Sequence, residues 1–186
     1  MSNFTKTFIE WLILIEPKAF FDDRGFFMEI YNENEFKNNW IDTKFVQDNY
    51  SISKAWVLRW LHFQKENTQA KLVYVTRWSA YDVCVDLRKD SPTFWKYYSN
   101  ILSWENKLKL FVPKWFAHGF LALEDNTEFL YKCDDFYNPA WDSWLLWDDE
   151  DLNINWWEYF PLDKIIISEK DKLQQSFKDF IKNNPF

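Results

Sequence analysis

The chain's two histidines, together with an arginine, a lysine and a tyrosine embedded in apolar runs, are the residues whose types and setting could do chemistry. Arg59 and His62 lie in Val57-Leu58-Arg59-Trp60-Leu61-His62-Phe63-Gln64. Lys71 opens Lys71-Leu72-Val73-Tyr74-Val75, Tyr131 sits in Phe129-Leu130-Tyr131-Lys132, and His118 follows Phe116-Ala117. Taken singly, each has an ordinary structural reading: a strand Arg or Lys among apolar residues usually marks a barrel rim, and a lone His is usually a satisfied core residue. Other chemistries lack their residues. A three-histidine-plus-carboxylate metal set cannot be built from two histidines without an H-x-H pair. No G-x-S-x-G elbow supports a Ser-His-Asp hydrolase. Neither G-x-x-x-x-G-K-[ST] nor G-x-G-x-x-G occurs, although a chain with only 2 glycines weakens that negative.

These residues need elements to hold them. The chain has 186 residues, a length that fits one domain spanning 1–186, and 47% of them are apolar, enough for a packed core. Runs rich in β-branched and aromatic residues predict strands over 26–31, 45–50, 57–64, 71–77, 81–88, 97–102, 108–112, 120–123, 127–133 and 164–167. Within 81–88, Tyr81, Val83, Val85 and Leu87 alternate with a polar set assigned to the opposite face. Residues 34–39 read as a short helix. Leu173, Phe177, Phe180 and Ile181 form one helical stripe at the C-terminus, with Ser168 and Asp171 as its start signal. Many short strands with helices at the ends predict a mainly β antiparallel barrel or jelly roll.

Charge and cysteine usage narrow the setting. Lys+Arg total 22 against 29 Asp+Glu, and the net charge of −7 argues against a duplex nucleic-acid partner. No apolar run is long enough to span a bilayer and no secretory signal opens the chain, so no membrane partner is expected. Cys84 and Cys133 make neither a disulfide framework nor a four-cysteine zinc site. A reducing, cytoplasmic location is the expectation.

The joint pattern of motifs resembles the dTDP-4-dehydrorhamnose 3,5-epimerase family. It runs through Glu16-Pro17-Lys18-Ala19-Phe20, Asp22-Asp23-Arg24-Gly25-Phe26-Phe27-Met28-Glu29, Phe45-Val46-Gln47-Asp48-Asn49 and the Arg59–His62 strand. It continues through Asp82-Val83-Cys84-Val85-Asp86-Leu87-Arg88, Ser91-Pro92-Thr93-Phe94 and Val112-Pro113-Lys114-Trp115-Phe116-Ala117-His118-Gly119-Phe120. Glu128-Phe129-Leu130-Tyr131-Lys132 and Trp147-Asp148-Asp149 complete it. The matches are collinear over about residues 8 to 173.

The resemblance implies a cupin-like jelly roll, a homodimer, no metal and no organic cofactor, and a dTDP-4-keto-6-deoxy sugar as substrate. It implies His62 as base, Asp171 as its orienting partner, Lys71 as the cation near the keto oxygen and Tyr131 as proton donor. Asp171 also reads as a helix-capping residue, and both roles can hold. The implied substrate contacts are Arg24, Glu29, Gln47, Asp48, Asn49, Arg59, His118 and Lys170, with Tyr137 stacking on the base and Asp142 near the family's carboxylate position. Protons beside a ketone yield to a modest base when the enolate oxygen is stabilised, so the implied chemistry needs no redox cofactor. A one-carbon epimerase, a keto-isomerase, or a sugar-binding jelly roll without catalysis would carry much of the same pattern.

One departure from the family is systematic. The chain has 13 tryptophans and 2 glycines, whereas about 7% glycine is ordinary. Tryptophan stands where the family has glycine at positions 56, 60, 78, 95, 115 and 144. Positions 11, 40 and 104 fit the same exchange, and 141 and 157 are compatible with it. Trp147 and Trp156 match family tryptophans. Some bacterial lineages read UGA as glycine while other codes read it as tryptophan, and translation with the wrong code would produce this pattern. Real aromatic platforms for carbohydrate are the alternative. Residue 60 bears directly on the chemistry. Arg59 and His62 are three apart and face opposite sides of a regular strand. A bulge between them would bring both to one pocket, which glycine at 60 permits and a Trp at positive φ does not.

Overall fold

The computed structural model describes residues 1–156, 162–169, 171 and 174–186. Thirteen strands appear, in chain order β1 (Asn3–Lys6), β2 (Ile13–Glu16), β3 (Ala19–Asp22), β4 (Gly25–Met28), β5 (Gln47–Ser53), β6 (Leu58–Gln64) and β7 (Lys71–Arg77). They continue as β8 (Ser79–Asp86), β9 (Tyr97–Ser103), β10 (Lys109–Val112), β11 (Phe116–Ala122), β12 (Thr127–Cys133) and β13 (Asp142–Trp144). Helices α1 (Glu33–Asn38) and α2 (Phe177–Lys182) are short. One sheet has the order β1-β2-β10-β7-β12-β5 and the other β13-β6-β11-β8-β9, while β3 and β4 form a separate hairpin. Every pairing between these strands is antiparallel. This is the cupin-like jelly roll that the motifs implied.

Three apolar layers hold the sheets. Between them, Val73, Val75, Leu110 and Phe129 meet Ala80, Cys84, Phe116 and Phe120. The Phe120 and Phe129 rings stack at 3.8 Å and 4°. Outside the first sheet, Ile13, Ile15, Leu72 and Phe111 are covered by Phe36 of α1 and Ile41. Asn32 caps α1 by accepting from the Asn34 and Glu35 backbone N–H groups. Outside the second sheet, Leu58, Leu61, Val83 and Val85 pack under Trp156, Phe177 and Phe180. β8 is therefore buried on both faces, including the one that carries the polar set. Its acids survive burial by finding partners. Asp86 accepts from Arg88, Ser91 and Thr93, which ties down the Ser91–Phe94 loop. Although burial pushes the Asp86 carboxyl up, these donors outweigh it and hold it below the usual range.

The C-terminal segment departs from expectation. Ser168 and Asp171 do pair, with Ser168 Oγ donating to the carboxylate at 2.8 Å. The helix nonetheless starts at Phe177 with Ser176 as its cap. Phe177 and Phe180 are buried, Ile181 is exposed, and Leu173 lies outside the described residues. A six-residue helix has one buried i, i+3 edge, and Ile181 sits beyond it. Residues 164–167 contribute one parallel bridge, Ile166 to Val57, in place of a strand.

The bulge in β6 is present. His118 pairs with His62 and Phe120 with Arg59, so three steps along β6 oppose two along β11. Trp60 and Leu61, inside the bulge, both enter the outer core. Position 60 achieves this without a positive φ, contrary to expectation. The close approach falls on Gly119 instead, where a Cβ would lie 2.8 Å from Arg59 O and 2.8 Å from Leu61 N. Left-handed backbone occurs elsewhere, at Trp11, Trp40, Trp56, Trp78, Trp95 and Trp115, with φ between 59° and 71°. Each such site costs a side chain about 1–2 kcal/mol. The six together approach the roughly 5–15 kcal/mol stability of a typical domain.

Two outcomes follow from this packing. Gly119→Ala should destabilise the fold by about 1–3 kcal/mol or more in denaturant unfolding, because two backbone segments must separate. Wild-type stability in that variant would refute the close approach. Lys109, on β10, is buried with its ammonium donating to Ile30 O and lying over the Tyr74 ring. Burial, with Lys132 nearby, lowers its pKa to about 7. Between pH 7 and 10 the unfolded chain then holds a proton that the folded chain has shed, so stability rises with pH by up to about 1.4 kcal/mol per unit. Lys109→Met should lose this rise, and an unchanged slope would contradict the burial cost.

Candidate active site

One cavity of about 790 Å³ opens between the sheets. From the second sheet, β6 supplies Arg59 and His62 and β11 supplies His118; from the first, β5 supplies Gln47 and Asn49, β7 Lys71 and β12 Tyr131. Tyr137 and Asp142 approach from the segment after β12, and Ile166, Ile167, Ser168 and Asp171 close another side. Arg59, His62 and His118 share the lumen because the β6 bulge turns two residues the same way.

The polar groups are held individually. His62 Nε2 lies 3.9 Å from Asp171, whose carboxylate is 10% exposed against 42% for the His62 side chain. The imidazole thus faces the lumen with its acidic neighbour behind it, and Ser168 fixes that neighbour. The Trp144 ring meets His62 edge-on at 5.7 Å. His118 Nε2 hydrogen-bonds Asp82 at 2.8 Å in a buried pair. Arg59 Nε donates to Ser53 Oγ at 3.1 Å. Burial pushes the Tyr131 phenol up, the Cys133 thiol adds to this, and Arg59 opposes it. Tyr131 therefore stays protonated at neutral pH, able to donate. Burial likewise raises Cys133 to about 11, so this thiol is not a nucleophile. Among the described residues, Asp82, Cys84 and His118 have ligand atoms within 4.8 Å of one another. The His118–Asp82 bond already satisfies that arrangement without an ion.

Ten residues expected to act together do line this cavity: Gln47, Asn49, Arg59, His62, Lys71, His118, Tyr131, Tyr137, Asp142 and Asp171. Three others do not. Arg24, at the hairpin tip, has an 89% exposed side chain paired with Asp22. Glu29 follows the same hairpin. Asp48 points to the opposite face of β5 from Gln47 and Asn49 and pairs with Lys132. Lys170 lies outside the described residues. Sequence reading missed the supporting groups Asp82, Ser53 and Gln64, whereas the Ser168–Asp171 pair was named. The strand alternation that separated Asp82 from Tyr81 and Val83 was the available signal for one of them.

Similarity to known proteins bears on this geometry. A family model described as dTDP-4-dehydrorhamnose 3,5-epimerase matches residues 6–179. The chain belongs to that family. The dTDP-4-dehydrorhamnose 3,5-epimerase of Methanothermobacter thermautotrophicus is 49% identical over 173 residues, covering 91% of each chain. The crystal structure of the Elizabethkingia anophelis enzyme superposes with a TM-score of 0.90 at 45% identity, over 96% of this chain and 97% of that one. A Legionella pneumophila 3,5-epimerase solved with dTDP-4-keto-L-rhamnose gives 0.90 at 39% identity, over 96% and 94%. The loops around the lumen are held by their own hydrogen bonds.

Gln64 is one such restraint. Its Oε1 accepts from Asn138 N–H at 2.6 Å, and its Nε2 donates to Asn67 O and Phe136 O. Gln47 Oε1 accepts from Tyr137 N–H, and the Tyr137 hydroxyl donates to Asp142 at 2.8 Å. Gln64→Leu should cost about 1–3 kcal/mol and speed amide hydrogen exchange in residues 136–142 relative to β7. Unaltered exchange there would show that the loop is held by other contacts.

Proposed function

We propose that the chain epimerises C3 and C5 of a dTDP-4-keto-6-deoxy-hexose, converting dTDP-4-dehydro-6-deoxyglucose to dTDP-4-dehydrorhamnose for deoxysugar and cell-surface polysaccharide biosynthesis. The observation that carries this reading is that His62 and Tyr131 enter one cavity from opposite sheets, with Lys71 in the same lumen. C3 and C5 both flank the C4 ketone, so their protons are acidic enough for an imidazole. His62 takes the proton, the C–H electron pair moves to the ketone oxygen as an enolate, and Lys71 stabilises the developing charge. The enolate collapses as Tyr131 returns a proton to the other face of the carbon. One C–H bond breaks and another forms, no electrons are gained or lost, and neither metal nor organic cofactor is needed. Asp171 orients the imidazole and stabilises its protonated form.

Arg59 supplies positive charge for the diphosphate in a chain that is acidic as a whole, and His118 is a further substrate contact. Tyr137 offers a stacking face to the base, while Gln47, Asn49 and Asp142 meet the sugar or nucleoside. Lys170 belongs to the same binding set. Arg24, Glu29 and Asp48 belong to the same set by motif, and Arg24 and Glu29, on or beside the protruding β3–β4 hairpin, would reach a cavity from a second copy. The β3–β4 hairpin stands out with Phe20, Phe21 and Phe27 all more than half exposed, which supports a homodimer that buries it. No helix among the described residues is long and apolar enough to cross a membrane. We place the enzyme in the cytoplasm as a single domain with no nucleic-acid or membrane partner.

His62→Asn should lower kcat by about 100-fold or more with little change in KM, since the base acts only in proton transfer. Wild-type turnover would remove His62 from the mechanism. Tyr131→Phe should retain proton exchange at one carbon yet fail to complete inversion. Full epimerisation by that variant would assign the acid elsewhere.

A further inference from the structure

Among the described residues, ten that are not glycine have positive φ, and six of them are tryptophan. Three of the rest are asparagines, which tolerate the left-handed region; the fourth is Lys107. The six tryptophans stand at chain corners: Trp11 before β2, Trp40 after α1, Trp56 between β5 and β6, Trp78 between β7 and β8, Trp95 before β9 and Trp115 before β11. Backbone hydrogen bonds hold four of these corners. Trp56 N–H donates to Ala122 O and Trp95 N–H to Asp86 O, while Trp78 O and Trp115 O accept from Trp104 and Leu87. The conformation belongs to the fold, and a bulky side chain is poorly suited to it.

We infer that the polypeptide made in the source cells carries glycine at these six positions and at 60, 104, 141, 144 and 157, because the gene specifies them with UGA read as glycine. Burial supports the division between these and the two remaining tryptophans. Trp156 is buried with its indole N–H donating to Trp147 O at 3.0 Å, as a native core tryptophan does. Trp60 is equally buried, but among the described residues its indole N–H has no acceptor. The six left-handed tryptophans form no shared carbohydrate platform either, since of these only Trp115 lines the cavity. Position 157 lies outside the described residues and is assigned by its match to the same exchange.

The consequence reaches the active site. The Trp144 indole packs edge-on against the His62 imidazole, and Trp115 borders the lumen. Glycine at both positions widens the cavity beside the base and leaves that side of the imidazole to the sugar. The catalytic groups themselves are unchanged.

The test is the codon at each position together with peptide mass spectrometry of the protein purified from its own cells. UGA at the eleven positions, UGG at 147 and 156, and glycine in the native peptides are expected. UGG at the six left-handed positions, or tryptophan in the native peptides, overturns the inference. A recombinant comparison gives an independent reading. The chain with all eleven Trp→Gly changes should unfold at higher denaturant concentration than the chain as written. Equal or lower resistance would count against glycine at these corners.

Discussion

One extra residue in β6 sets the active site. Without it, Arg59 and His62 would leave opposite faces of the strand, one toward the lumen and one toward the outer core. With it, both side chains enter the cavity, while Trp60 and Leu61 turn together into the packing beneath Trp156. The bulge requires β11 to come close, and Gly119 is the residue that allows this. His118 precedes that glycine by one position, so the backbone contact that admits the bulge also sets the second imidazole. Packing between two strands thus decides where three of the polar groups point.

The remaining groups divide by rigidity. Lys71 and Tyr131 rise from β7 and β12, adjacent strands in the first sheet whose opposite neighbours keep them in register. Asp171 reaches His62 from a segment outside both sheets, held through Ser168. Tyr137 and Asp142 depend on a loop secured by Gln64 and Gln47. His62, Lys71 and Tyr131 are thus mounted on sheet, as are Gln47, Asn49, Arg59 and His118, whereas Tyr137 and Asp171 sit on connections. Such an arrangement suits a reaction in which acid and base must face each other across a fixed sugar ring.

Much of this was legible in the residues. The runs at 71–77 and 127–133 became β7 and β12 with the expected bounds, because seven-residue stretches rich in β-branched and aromatic residues suit paired positions inside a sheet. The need for a bulge followed from the three-residue spacing of Arg59 and His62. The short strands β1, β2, β3 and β13 escaped notice, since three or four residues carry too little periodicity to register. Alternation placed Asp82 and Asp86 on the polar face of their strand, and only the tertiary cover over β8 reveals them as buried hubs for His118 and for the Ser91–Phe94 loop. Arg24, Glu29 and Asp48 were grouped with the site by motif, which carries no information on whether one chain or two must supply them.

The central claim is that a base and an acid on opposite sheets work on both carbons beside one ketone. The most direct measurement is solvent-deuterium incorporation into dTDP-4-keto-6-deoxyglucose during turnover, followed by NMR at each ring carbon. The account predicts deuterium at C3 and at C5, with the product in the rhamno configuration. Deuterium at a single carbon, or none while the protein binds the sugar, would contradict it.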